Sequence, residues 1–430
     1  MRGSRYLCLL VGMLAGLSVL AQDDPKQRMK AVRELGQGAS ESIPKLDLYL
    51  SDPDLSVRRE AVKAIVDIGT QRSLDPLIKA AADNDPEIQI RATDGLVNFY
   101  LPGYVKSGLT GSLIRGVSSI KGKFTDTNDQ VVDAYIQPRP EVVLALGRIA
   151  RGGAGMDARA NAARAVGILR GRQAIPDLEE ALKSKDTQLI YESLVALQKI
   201  RDPSAGPATV FLLHDLNKKV QIAAIETTGL LANRAALNDL RDVLDRSRNM
   251  DVKRAALTAI AQMPDPQLHG VFAAYLDNKD EGLREGAAEG TARLKNPADL
   301  AAVESAFANE KKTGARLALA FALTALGKRD MGEFDPLRYL VDNLNSAAYH
   351  GIARPYLAEL ARDSDIRRAL YPVLQQPATT KDEKIGLAWV LSQSGAEDSI
   401  APLQSLSEDS DHEVSQEALR ALKNLRARVP

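Results

Sequence analysis

The histidine and cysteine residues are the first place to look for acid–base or metal chemistry in this sequence. The four histidines, His214, His269, His350 and His412, stand apart from one another, and none belongs to a His-Glu-x-x-His zinc motif. Cys8 is the single cysteine and lies inside an apolar run near the N-terminus. The sequence has no Gly-x-Ser-x-Gly elbow, phosphate-binding loop or dinucleotide fingerprint. We therefore expect no catalytic residue, no metal and no cofactor, and we do not expect an enzyme.

Candidate binding residues concentrate in one stretch, residues 101–138. This stretch combines tyrosine, glycine and proline with several basic residues, and its first acidic residue is Asp126. Tyrosine, tryptophan and arginine are enriched where proteins bind one another. Trp389, the only tryptophan of the chain, is added for the same reason. The binding residues predicted from the sequence are Tyr100, Tyr104, Lys106, Arg115, Lys121, Lys123, Tyr135 and Trp389.

Apolar residues at helical spacing predict a basic amphipathic helix over residues 112–124. The apolar face comprises Leu113, Ile114, Val117, Ile120 and Phe124. Three roles stay open for this helix. It could cover one edge of the fold with its apolar side, contact a protein or ligand, or make weak contact with a membrane surface.

Residues 1–21 have the features of a secretory signal peptide. Arg2 and Arg5 precede an apolar stretch, residues 7–20, which is short for a membrane span and is followed by a small residue, Ala21. Cleavage after Ala21 would remove Cys8 and leave a mature chain without cysteine. We therefore expect export across the inner membrane, with the periplasm as the destination.

Apolar residues at positions i, i+4, i+7 and i+8 recur along the chain and predict a series of amphipathic helices. The pattern starts at Val57, Ile88, Ala158, Leu189, Val220, Val252, Leu283, Ala315, Tyr349, Glu383 and Val414. Successive starts are 31 to 34 residues apart, except for one interval of 70 residues. Shorter helices with proline in the first turn, such as Ile43-Pro44 and Ile175-Pro176, precede several of them. Such a constant period is typical of a helical solenoid, interrupted here by an insertion at residues 101–138.

A turn with aspartate, followed by Val-Arg and a run such as Glu60-Ala61-Val62-Lys63-Ala64-Ile65, resembles a HEAT repeat. The similarity is closest to the short bacterial class that also occurs in phycobilisome lyases, and it covers roughly residues 26–100 and 139–430. The resemblance implies an all-α, right-handed α-α superhelix of about eleven helical hairpins with a concave face lined by the second helices. It also implies Asp–Arg ladders between neighbouring repeats. The matching pairs are Asp54 with Arg58, Asp157 with Arg159, and Asp251 with Lys253 or Arg254.

Two enzyme families share repeats that this sequence resembles. Deoxyhypusine hydroxylase, a di-iron enzyme, holds its metals with four His-Glu pairs, whereas this chain has one such pair, His412-Glu413. Bilin lyases work in the cytosol, which disagrees with a signal peptide at residues 1–21. The resemblance to either family therefore implies no activity here.

The sequence predicts a signal peptide (1–21), N-terminal HEAT repeats (22–100), the insertion (101–138) and HEAT repeats to a C-terminal cap (139–430). Lysine plus arginine and aspartate plus glutamate both number 56, and the resulting zero net charge argues against a nucleic-acid partner. We expect a non-enzymatic scaffold of the cell envelope that binds a protein partner on the concave face. The alternative is an accessory platform at a membrane surface or for an envelope enzyme complex. A lyase or a metal-dependent hydroxylase ranks third.

Overall fold

Each start of the repeating apolar pattern lies in or beside the first turn of a helix. The computed structural model describes residues 24–104 and 130–429, which contain α-helices and 3-10 helices and no strand. The predicted all-α fold is therefore confirmed for these residues. The chain divides into two units, which are described separately. Unit 1 comprises residues 1–132 and 138–205, and unit 2 comprises residues 133–137 and 206–430.

The helices of unit 1 alternate between first and second helices. They are α1 (Pro25–Gly36), α2 (Ile43–Tyr49), α3 (Leu55–Ile68), α4 (Leu74–Ala80), α5 (Pro86–Tyr100), α6 (Pro140–Gly152), α7 (Met156–Ile168), α8 (Ile175–Ala181) and α9 (Thr187–Ile200). The first helices α2, α4 and α8 are short, whereas α6 is as long as α7. The long helices α1, α3, α5, α7 and α9 pack side by side in that order. Because α5 packs directly on α7, the insertion between them leaves this layer continuous.

Unit 2 continues the alternation after a 3-10 helix at Pro203–Leu212. Its helices are α10 (Lys218–Leu230), α11 (Leu237–Arg246), α12 (Met250–Ala261), α13 (His269–Tyr275), α14 (Glu281–Leu294), α15 (Leu300–Asn309), α16 (Thr313–Ala325), α17 (Pro336–Asp342), α18 (His350–Leu360), α19 (Ser364–Gln375), α20 (Lys381–Ser394), α21 (Ile400–Leu406) and α22 (His412–Arg426). The even-numbered helices α10 to α22 pack on one another in sequence order and form the layer of second helices. The first helices, such as α13 and α15, pack on the second helices that follow them.

Aspartates hold the second helices in register by accepting hydrogen bonds from two repeats. Asp85 caps α5 through the Ile88 amide at 3.0 Å, and it also accepts from Arg59 of α3 at 2.7 Å. Asp280 caps α14 in the same way and binds Arg254 of α12 at 2.6 Å. Such a cap satisfies an amide that has no partner inside the helix, and the charged arginine strengthens the bond.

The ladder expected from the sequence runs from one repeat to the next at Arg58, whose partner differs from the one matched by spacing. Asp54 accepts the amides of Ser56 and Val57, so Arg58 pairs instead with Asp83 of the next repeat at 2.8 Å. Arg159 donates to backbone carbonyls at the end of α6. Arg254 does bind Asp251, at 2.9 Å, in addition to Asp280.

Small residues allow neighbouring second helices to approach closely. A Cβ atom added to Gly229 of α10 would lie 2.6 Å from the Cα atom of Ala259 on α12. A Cβ atom added to Gly95 of α5 would lie 2.6 Å from the side chain of Val66 on α3. These glycines therefore serve packing, as their place in the apolar pattern indicates.

Candidate interaction surface

Four of the predicted binding residues lie outside the described residues. Lys106, Arg115, Lys121 and Lys123 all fall between residues 105 and 129, together with the predicted helix at 112–124. The other four, Tyr100, Tyr104, Tyr135 and Trp389, are described and can be placed.

Tyr100 joins the two ends of the insertion within unit 1. It is the last residue of α5 and is only 9% exposed, with its ring packed edge-on against Phe99 at 5.0 Å. Its hydroxyl oxygen accepts a hydrogen bond from the Arg139 amide at 3.0 Å, just before α6 begins. The described contacts of Tyr100 therefore stabilise the fold of unit 1, where α5 ends and α6 begins.

Tyr104 adjoins a row of polar side chains on the second helices of unit 1. In this row the Asn161 amide donates to Asp94 at 3.0 Å, and Arg164 donates to the buried Glu192 at 3.0 Å. Burial would lower the pKa of the Arg164 guanidinium, but its bonds to Glu192 and Tyr104 raise that pKa above its usual value. The row links α5, α7 and α9, and its charged groups partner one another.

Tyr135 lies on the last helix of unit 2, held there by a short segment of the insertion. Both oxygens of Asp133 accept from Arg420 of α22 at 3.0 Å, and the Ala134 amide donates to Asn424 at 2.7 Å. The Lys423 ammonium lies 5.9 Å from the centroid of the Tyr135 ring, within reach of a cation–π attraction. The partial burial of Tyr135, together with the Asp133 charge, raises the pKa of its hydroxyl. The ring remains 42% exposed.

Trp389 lies on α20, the second helix that packs against α22. It is 36% exposed, although its neighbours Ala388 and Val390 are fully buried. Arg420 occupies the same position on α22, one repeat of 31 residues further on. The two described residues Tyr135 and Trp389 are therefore brought to neighbouring second helices. We call Trp389, Tyr135, Arg420 and Lys423 the aromatic–basic patch.

A buried network in unit 2 was not predicted from the sequence. Arg293 of α14 donates to Glu289 and to Glu359 of α18, each at 2.9 Å. Tyr356 of α18 donates to Glu289 at 2.7 Å and stacks on Phe321 of α16 at 4.8 Å. Burial raises the pKa of the Tyr356 hydroxyl well above its usual value. No sequence motif marks this network, because its members come from three helices and none has an unusual local setting.

Two of the titratable residues singled out in the sequence, His269 and Glu413, are engaged in contacts between helices. The His269 Nε2 and Asp299 Oδ1 atoms lie 2.7 Å apart, joining α13 to the turn before α15. Glu413, of the His412-Glu413 pair, forms an ion pair with Lys381 of α20. Within residues 24–104 and 130–429, no three histidine, cysteine, aspartate or glutamate side chains cluster so that they could hold a metal ion.

None of the described helices has both the length and the apolar character needed to cross a bilayer.

Comparisons with known proteins identify the repeats. Residues 15–97 and 237–324 match a family model described as HEAT repeats, and residues 158–184 match one described as PBS lyase HEAT-like repeat. No curated protein matches the chain.

Solved structures similar to this chain have low sequence identity to it. An engineered protein is 20% identical, with 89% of this chain and 98% of that chain covered and a TM-score of 0.33. The complex of CpcE and CpcF of phycocyanin lyase from Nostoc sp. PCC7120 is 19% identical, with 71% and 93% covered and a TM-score of 0.33. Human deoxyhypusine hydroxylase in complex with glycerol is 19% identical, with 67% and 96% covered and a TM-score of 0.29.

Proposed function

Because this chain is a HEAT-repeat protein, we propose that it is a non-enzymatic scaffold that binds a protein partner. The observation that carries this proposal is the aromatic–basic patch of unit 2. Trp389 keeps 36% of its surface exposed on a helix whose neighbouring positions are buried, and Tyr135 keeps 42%. Tryptophan, tyrosine and arginine, here on α20 and against the adjacent α22, are the residue types that dominate binding free energy at protein interfaces.

We place the partner on the second-helix face of unit 2, around the patch. Residues 133–137 support a role for the insertion in this surface, because they hold Tyr135 on α22 through Asp133. We further propose that residues 1–21 direct the chain to the periplasm, and the charge pattern and small residue at Ala21 support this.

Site-specific photo-crosslinking in the cell envelope fraction tests the proposal. A benzoylphenylalanine at position 389 should crosslink one defined protein, and the recovered chain should begin at Gln22 after signal cleavage. The matched control is position 334, where Phe334 is 86% exposed between α16 and α17, outside the patch. With the partner purified, Trp389→Ala should weaken binding about tenfold, which corresponds to about 1.4 kcal/mol.

Equal crosslinking from positions 389 and 334, or an affinity unchanged by Trp389→Ala, would contradict a partner at the patch. A recovered chain that retains residues 1–21 would contradict the proposed export.

A further inference from the structure

A hollow of about 480 Å³ opens beside the N-terminus of α16 in unit 2. Its walls come from the end of α15, the linker before α16, the first turn of α16 and α17. The polar lining comprises Asn309, Glu310, Lys311, Thr313, Arg316 and Tyr339.

Among the described residues of unit 2, Arg316 and Arg354 lack the ion pair that several other partly buried arginines form. Arg254, Arg284 and Arg293 each bind an acid at 2.6 to 2.9 Å. No ion pair joins Arg316 to any carboxylate of the described residues, and its Nε atom is buried without a hydrogen-bond partner there. A buried polar atom with no partner costs free energy, so a group that binds it is favoured.

Two aromatic rings fix the position of the Arg316 guanidinium. Its central carbon lies 4.7 Å from the centroid of Phe307 and 5.2 Å from that of Tyr339. The two rings meet almost perpendicularly, with their centroids 5.9 Å apart. The guanidinium therefore sits in the angle between them, and its orientation is set before any ligand arrives.

The one acid in the lining, Glu310, is already engaged. Its two oxygens accept from Arg284 at 2.6 and 3.0 Å and from the amides of Lys311 and Lys312 at 2.9 and 2.8 Å. Burial would raise the pKa of this carboxyl, but the bonds from Arg284 keep it below its usual value, so Glu310 stays charged and paired. Glu310 is therefore bound to Arg284 and to backbone amides, and no ion pair joins it to Arg316.

The backbone amides at the start of α16 are further hydrogen-bond donors beside the hollow. Lys312 occupies its N-cap position without a side-chain bond to the helix amides, and α16 continues for 13 residues. The positive end of the helix dipole favours an anion nearby. On its α14 side the first turn already meets Glu281 and Glu285, which lie against Gly314.

We propose that this hollow binds a carboxylate of an acidic peptide segment. A planar guanidinium that pairs with no described carboxylate matches the two oxygens of a ligand carboxylate, and the neighbouring Glu310 carboxylate disfavours a doubly charged phosphate. This inference rests on the proposed function, since it assigns the scaffold a partner with an acidic segment.

Fluorescence anisotropy of a labelled hexaglutamate peptide, with the mature chain at physiological salt, tests the proposal. Arg316→Gln should weaken peptide binding about fivefold, because the charge and the fork of donors are both lost. Arg316→Lys should recover only part of the loss, since it restores the charge without the fork. Arg241→Gln is the matched control, because Arg241 is exposed on α11 and its replacement changes the net charge equally. Thermal unfolding should confirm that all three variants are folded.

Equal weakening by Arg316→Gln and Arg241→Gln would overturn the proposal, because binding would then reflect net charge alone. Displacement of the peptide by inorganic phosphate at lower concentration than by acetate would also overturn it. Trp389→Ala should leave hexaglutamate binding unchanged. Crosslinking and partner affinity thus test the aromatic–basic patch, whereas hexaglutamate binding tests the hollow, so either proposal can fail without the other.

Discussion

Glu281, Glu285 and Glu289 follow one another at four-residue spacing along one face of α14. Glu289 is bonded by Arg293 and Tyr356, whereas Glu285 packs against Gly314 of α16. Burial first, and then the charges of Glu281 and Glu289, raise the pKa of Glu285 to about 7, with Arg254 of α12 and Arg284 opposing the shift. The folded protein therefore holds a proton here that the unfolded chain releases near pH 4.5.

Glu285→Gln should stabilise the protein at pH 8 and have little effect at pH 4. The folded pKa lies above the unfolded value, so this proton favours the folded state at low pH, and the benefit disappears as the pH rises from about 4.5 to about 7. Because Glu285 is only partly buried, solvent screening reduces the expected gain at pH 8 to about 1 kcal/mol. Urea unfolding at both pH values measures it, and an equal gain at pH 4 would contradict the assigned cause.

The charge pairs between repeats also belong to the residue scale. The sequence identifies the aspartates and arginines of the ladder by type. It does not identify their partners, because Arg58 could bond to Asp54 in its own turn or to Asp83 of the next repeat. Asp54 forms a local cap, so the arginine is free to reach across. Competition between local and distant partners thus decides each pair.

At the scale of elements, glycine sets how closely a first helix approaches its second helix. Gly290 of α14 faces Phe272 of α13, and an added Cβ would lie 2.2 Å from the ring. Phe272 is among the largest fully buried side chains, so the ring has no space into which it could turn. The apolar pattern predicts that Gly290 faces the core, and the structure adds that an aromatic ring occupies the missing volume.

Gly290→Ala should destabilise the protein by about 2 to 3 kcal/mol, since overpacking forces α13 and α14 apart. Gly270→Ala, on α13, is the matched control because a Cβ there meets no atom within 4 Å. Alanine has the higher helix propensity, so the control should gain up to about 1 kcal/mol. Chemical unfolding of the two variants measures both effects. Similar changes in the two variants would show that packing against Phe272 does not limit this position.

At the scale of the molecule, some contacts of unit 2 reach beyond the neighbouring repeat, as the bonds between α14 and α18 do. In unit 2, Asp133 of the insertion binds Arg420 and Asn424 of α22, which are 287 and 291 residues further along the chain. The contact covers part of the surface of α22. Arg420 and Lys423 of this helix both contact the segment.

Asp133→Ala should loosen the second half of α22. The bifurcated charged hydrogen bond from Arg420 Nε, at 3.0 Å to each oxygen, and the bond from Asn424 at 3.1 Å are lost, so amide exchange in α22 should accelerate about tenfold. Glu417→Ala is the control, because its pair with Arg420 at 3.7 Å is exposed and contributes little. Hydrogen exchange followed by mass spectrometry resolves the two cases. Equal protection of α22 in the Asp133 variant and the parent would show that the segment does not stabilise this helix.

The sequence by itself determined the helical class, the repeat period and the position of the second helices. These follow from local rules, since a stripe of apolar residues, a capping aspartate and an early proline act within one or two turns. The position of the insertion between Tyr100 and Pro140 is visible in the same pattern.

Only the tertiary structure decided what each functional side chain meets. Tyr100 and Tyr135 look alike in the sequence, but one is buried at the Arg139 amide and the other remains exposed beside Lys423. Arg316 resembles every other arginine of the second helices until the acids around it prove to be engaged elsewhere. Burial and pairing depend on residues from other repeats, and the local pattern of a chain carries no information about them.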